Sequence, residues 1–154
     1  MTKLGDGRTS GGTTMPKGGE NGRRLEIASD KDVVSARQLG RELAAGFGFT
    51  PGDQTVIAAA ISEIARNILM YARRGQVSFE LVTEGPRRGM IIVARDDGPG
   101  IPDIARALMD GYSTSGGLGL GLPGARRLMD EFDIDSGIGR GTTITMLKLK
   151  RPTR

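Results

Sequence analysis

The order of periodic segments along these 154 residues predicts an α+β fold, a two-layer sandwich with helices on one face of a mixed β-sheet. Three features carry that expectation. Ile57, Ile61, Ile64 and Ile68 recur at helical spacing and mark one buried helix face. Met90 to Ala94 is a continuous apolar run, as a central strand covered by helices requires. Near the C-terminus, two strand-like stretches flank a glycine-rich turn.

Each element follows from local chemistry. Residues 1–22 carry seven glycines among serine, threonine, lysine and Pro16, with Leu4 and Met15 as the sizeable apolar side chains. So little burial cannot offset chain entropy, so a disordered tail is expected ahead of one domain at 23–154. Arg24 to Ser29 alternates Leu25 and Ile27 with polar neighbours, as a half-buried strand does. Asp30 is placed to cap the next helix, where Val33, Ala36, Gly40, Leu43 and Phe47 return at helical spacing. Residues 46–53 break that helix, and Thr50 as cap with Pro51 in the first turn opens the isoleucine-striped one. After Arg73, Arg74 and Gly75, a strand alternates Val77, Phe79 and Leu81, and a Gly85-Pro86 turn leads into the apolar run. Residues 102–109 and 122–132 read as shorter helices, and final strands are expected near 133–136 and 142–149. Apolar parity changes between Met146 and Leu147, which predicts a bulge or an early strand end.

Composition narrows the chemistry. The chain contains neither cysteine nor histidine. That removes disulfides, thiolate nucleophiles, iron-sulfur clusters, the Ser-His-Asp triad and phosphohistidine. Carboxylates, amides, hydroxyls, basic side chains, the backbone and a borrowed metal ion remain. The net charge of +4 is dispersed in arginine pairs, and aromatics make up 4%, so nucleic-acid binding is not expected. No apolar run approaches the roughly 20 residues of a membrane span, so a cytoplasmic protein without a membrane partner is expected.

Three clusters carry candidate chemistry. Glu63 and Asn67 project from one face of the isoleucine-striped helix, at the margin of its buried stripe. They form either a solvated edge or a carboxylate base beside an amide oxygen suited to a hard cation such as Mg²⁺. Asp96, Asp97, Gly98, Pro99, Gly100, Ile101 and Pro102 follow the apolar strand directly. That run suits a plain turn, or a binding edge where a carboxylate accepts from a ligand donor such as an adenine amino group. Residues 113–122 pack hydroxyls and glycines ahead of a helix, as a hinge or an anion cradle of backbone amides does. Gly119, Gly121 and Gly124 fit a dinucleotide-binding spacing, but no strand precedes them, and the Walker A pattern is absent.

The order of the clusters is more specific than any one of them. Glu63-x-x-x-Asn67, Asp96-x-Gly98-x-Gly100, Gly117-x-Gly119-x-Gly121-Leu122 and Gly139-x-Gly141-Thr142 together resemble the nucleotide-binding boxes of the GHKL superfamily of ATPases and kinases, with its Bergerat fold. Within it, residues 63–71, 96–103 and 110–132 look like the RsbT type of serine/threonine switch kinase. The resemblance implies ATP and Mg²⁺ as cofactors, with Asn67 holding the metal and Asp96 accepting from adenine. It implies that Gly98 and Gly100 keep the base edge open and that Ile101 lies against the ring. Gly117, Leu118, Gly119, Leu120, Gly121 and Leu122 would wrap the phosphates, and Thr142 would support the adenine end. Glu63 would orient or deprotonate an incoming hydroxyl. Its implied partners are a STAS-domain antagonist as substrate and a downstream phosphatase or regulator within a stress or sigma-factor pathway. An anti-sigma factor kinase binding its sigma factor directly, or a nucleotide-gated binding module without turnover, are the alternatives.

Overall fold

The computed structural model of the chain describes residues 22–109 and 121–151. Along it run β1 (Arg23–Ile27), α1 (Asp30–Phe47), α2 (Pro51–Ala72), β2 (Gly75–Glu84) and β3 (Arg87–Asp96). These are followed by α3 (Ile104–Ala107), α4 (Gly121–Leu128), β4 (Glu131–Gly137) and β5 (Gly141–Leu149). The strands form one sheet in the order β1-β2-β3-β5-β4, with α1, α2 and α4 packed on one face, so the expected α+β sandwich is present. The sheet is not mixed, however: every ladder is antiparallel. β3 and β4 do run the same way, but β5 returns from the turn after β4 and takes the place between them.

Local signals act largely where expected, with small shifts. The cap of α1 is Ser29 rather than Asp30, and its own side chain makes no capping bond. Asp32 instead accepts from Ala28 N at 2.8 Å and Ser29 Oγ at 3.3 Å, placing a carboxylate at the positive helix end. Thr50 Oγ1 accepts from Asp53 N at 3.1 Å, which caps α2 ahead of its proline. The isoleucine stripe of α2 is fully buried against α1 and the sheet. Counter to the sequence expectation, this 22-residue helix meets the length and hydropathy of a membrane span. Its apolar side is already filled by the domain core, which is the circumstance of a core helix.

Three expectations near the C-terminus are corrected. α3 is a single turn, four residues long, capped by Asp103 Oδ1 accepting from Arg106 N. α4 stops at Leu128, and Phe132 belongs to β4, where it is buried on the helix side of the sheet. β5 carries no bulge, because its register with β3 and β4 is unbroken from Gly141 to Leu149. The parity change has another cause. Leu147 packs with Val82 and Ile91 in a second cluster separate from the helix-covered core. Lys148 faces the helices with 7% exposure, and its Nζ donates to Leu128 O at the end of α4. An aliphatic stem with a satisfied amine thus occupies a core-side position.

Candidate functional site

Asp96 stands at the last position of β3, opposite Thr142 on β5. The residue is 5% exposed, and its Oδ1 accepts from both Gly98 N at 3.0 Å and Thr142 N at 3.2 Å. Among the described residues no donor reaches Oδ2. Burial raises its pKa above the ordinary carboxylate value; the two backbone hydrogen bonds oppose that rise, and the neighbouring Asp97 charge adds to it. A buried acceptor with one oxygen fixed and one unengaged is poised to select a ligand that brings its own donor.

Two glycines fix the loop after Asp96. A Cβ on Gly98 would stand 2.5 Å from Ala72 Cβ, so the loop lies directly on the last turn of α2. Gly100 has φ +89, and a Cβ there would come within 2.5 Å of Gly137 O. Both glycines thus sit where neighbouring chain segments leave no room for a side chain. Gly139 N donates to Pro99 O at 2.9 Å, so the β4–β5 turn holds the same loop. A cavity of about 410 Å³ opens here, lined by Ala72, Gly75, Asp96 and Gly98 together with Arg74 and Arg95.

On α2, five and nine residues before Ala72, lie Asn67 and Glu63. Asn67 is 6% exposed, and no hydrogen bond to its amide is made by a described residue. Glu63 pairs with Arg66, Oε2 to Nη1 at 3.3 Å, which orients the carboxylate along the helix surface. Ile101 and Leu122 are buried and join the central core, and Thr142 is buried beside Asp96. Gly121 opens α4 at φ +57. Gly117, Leu118, Gly119 and Leu120 lie outside the described residues, as do Ser113, Thr114, Ser115 and residues 1–21.

Ser136 is a participant that the sequence did not single out. Its Oγ accepts from Ile101 N at 2.9 Å and lies 2.7 Å from Thr142 Oγ1 and 3.3 Å from Gly141 O. Its one sequence cue is an inward position on an alternating strand. Its partner Ile101 is 35 residues away, beyond the reach of any local pattern.

Residues 52–153 match the family described as histidine kinase-, DNA gyrase B-, and HSP90-like ATPases. The chain is 52% identical over 127 residues to the serine/threonine-protein kinase RsbT of Bacillus subtilis, across 82% of this chain and 96% of that protein. It is 30% identical over 107 residues to the anti-sigma F factor of Geobacillus stearothermophilus, across 64% of this chain and 71% of that one. Among solved structures, the RsbU and RsbW domains of a Mycobacterium tuberculosis protein align with a TM-score of 0.59 and 25% identity. That alignment takes in 86% of this chain and 34% of the larger one. With an acceptor carboxylate at a strand end, an amide and a carboxylate on the adjoining helix, and this likeness over most of its length, the chain belongs to the histidine kinase-, DNA gyrase B- and HSP90-like ATPase family, as an RsbT-type serine/threonine protein kinase.

Proposed function

We propose that the kinase transfers the γ-phosphoryl group of ATP to a serine or threonine of a STAS-domain antagonist in the cytoplasm. Released by that reaction, it then engages and activates a downstream phosphatase or regulator. The observation that carries the nucleotide part is Asp96, buried and held by two backbone donors, with Asn67 and Glu63 on the helix beside it. The likeness to RsbT supports the acceptor class and the partner switch.

The side chains divide the work. Asp96 Oδ2 accepts from the adenine amino group, while Thr142 N fixes Oδ1. The Gly117-x-Gly119-x-Gly121 run would offer backbone amides to phosphate charge ahead of α4, at whose start Leu122 is buried in the core. Glu63, aligned by Arg66, orients the incoming hydroxyl and accepts its proton. Mg²⁺ fits this donor set: Asn67 offers a hard amide oxygen that no described residue engages, and the described residues hold no cluster of three acidic ligands. Asn67 would hold the ion, whose charge would offset that of the phosphates. Positioning and charge neutralisation supply most of such a reaction, so neither histidine nor a Walker lysine is required.

Labelled ATP, this protein and a STAS-domain protein form the test. The expected result is phosphate on a serine or threonine of the STAS protein. Glu63→Gln should retain ATP affinity within about twofold and lose at least a hundredfold in transfer, the scale of general-base loss. Tight ATP binding with no labelling by the parent protein would overturn the kinase reading. Stable co-purification with a sigma factor would favour the anti-sigma role, which the likeness to the anti-sigma F factor brings into view.

A further inference from the structure

Among the described residues, two ionisable side chains are buried: Asp96 at the proposed nucleotide site, and Lys148 near the far end of β5. The reaction as described makes no use of Lys148. Its surroundings form a clasp. Nζ donates at 3.3 Å to Leu128 O, the carbonyl of the last residue of α4, and lies 3.9 Å from Asp130 Oδ2. That same carboxylate oxygen accepts from Leu149 N at 2.6 Å, and Asp130 N donates to Leu147 O at 2.9 Å. Residues 128–130, which join α4 to β4, are thus tied to Leu147, Lys148 and Leu149 of β5. The carbonyls that end a helix have no partner within it, and a cation there complements the negative end of the helix dipole.

Sideways, α4 is held by Leu122 and Ala125 in the core and by its contact with α2. Apolar contact of that kind is non-directional, so position along the helix axis falls to the directional bonds at Leu128 and Asp130. We propose that Lys148 is a positioning residue for phosphate binding: through Leu128 O it sets where α4 stands along its own axis. At eight residues the helix is only about 12 Å long, so a displacement at Leu128 reappears at Gly121. The glycine-rich run ends there, and its amides move with the helix. Lys148 itself touches no ligand. This inference rests on the assignment of Gly117, Gly119 and Gly121 to the phosphates.

The test compares ATP with adenosine, which shares its base and sugar but carries no phosphate, by titration calorimetry on the full chain with Mg²⁺. Lys148→Met keeps an apolar stem and removes the amine. It should weaken ATP about tenfold, the scale of one charge-assisted hydrogen bond, and leave adenosine within about twofold of the parent. Asp130→Ala opens the same clasp from an exposed side chain and should give the same split. It serves as the measurement if Lys148→Met fails to fold by circular dichroism. Equal weakening of both ligands, the mark of a general loosening, or an unchanged ATP affinity would overturn the proposal. Gly119→Ala separates it from the reading beneath it. If that variant weakens ATP selectively while the clasp variants do not, only this inference falls; if it leaves ATP at the parent affinity, the phosphate assignment falls and this inference with it.

Discussion

Asp96 shows what a single buried carboxylate would contribute at the proposed nucleotide site. Desolvation penalises its ionised form, so the empty protein is more stable with the group protonated. The sign follows from the raised pKa. Its stabilising contribution is complete below the ordinary carboxylate range and is lost as pH rises through the raised value. Adenine recognition needs the ionised acceptor and so has the opposite pH dependence. ATP affinity, measured by calorimetry, is expected to fall as pH drops from neutral through the raised carboxylate value, while this group's contribution to the stability of the ligand-free protein grows. Asp96→Asn keeps an oxygen for Gly98 N and Thr142 N while removing the buried charge. Its melting temperature at neutral pH should therefore equal or exceed that of the parent, with ATP affinity reduced at least a hundredfold; a parent-like affinity would refute the assignment. Asp96 and Asn67 were legible because their motifs are local, whereas Ser136 and Lys148 act through partners 35 and 20 residues away.

At the scale of elements, the site is a junction of α2, the end of β3 and the β4–β5 turn. Short contacts rather than a rigid loop hold it together. Gly100 shows this most directly, since its left-handed backbone and its approach to Gly137 both exclude a side chain. Gly100→Ala is expected to shift the loop and weaken ATP binding at least tenfold, and to cost roughly 1–3 kcal/mol in urea unfolding. Normal affinity in that variant would show that the loop position does not matter to the nucleotide. The sequence pattern located this loop but not the segments its glycines pack against. Neither Ala72 nor Gly137 is near Gly98 or Gly100 in the chain, so the pattern held no sign of what they touch. Lys148 is the same lesson on β5: the alternation of side chains predicted a bulge or an early strand end, whereas the strand stays regular with a buried amine reaching Leu128 O.

For the molecule as a whole, stability and ligand binding are linked, because the site joins both layers of the sandwich. A ligand that binds only the folded state at a hundred times its dissociation constant adds about 2.7 kcal/mol. ATP with Mg²⁺ should accordingly raise the melting temperature by several degrees, and chelation of the metal should remove most of the gain. An equal shift with and without metal would argue against Asn67 as a metal ligand.

The sequence by itself determined the helix and strand order, the buried isoleucine face, the polar clusters and, through the absence of cysteine and histidine, the chemistry open to the chain. Those properties depend on side-chain identity and on spacing of a few residues, which the sequence states outright. Only the tertiary structure decided the antiparallel order of the sheet, the pairing of Glu63 with Arg66, the contacts of Gly98 and Gly100, and the Ser136–Thr142–Asp96 chain. Apart from the Glu63–Arg66 pair, whose spacing was visible but not selected among possible partners, each joins segments distant in sequence. Which of them meet is settled by how the layers pack.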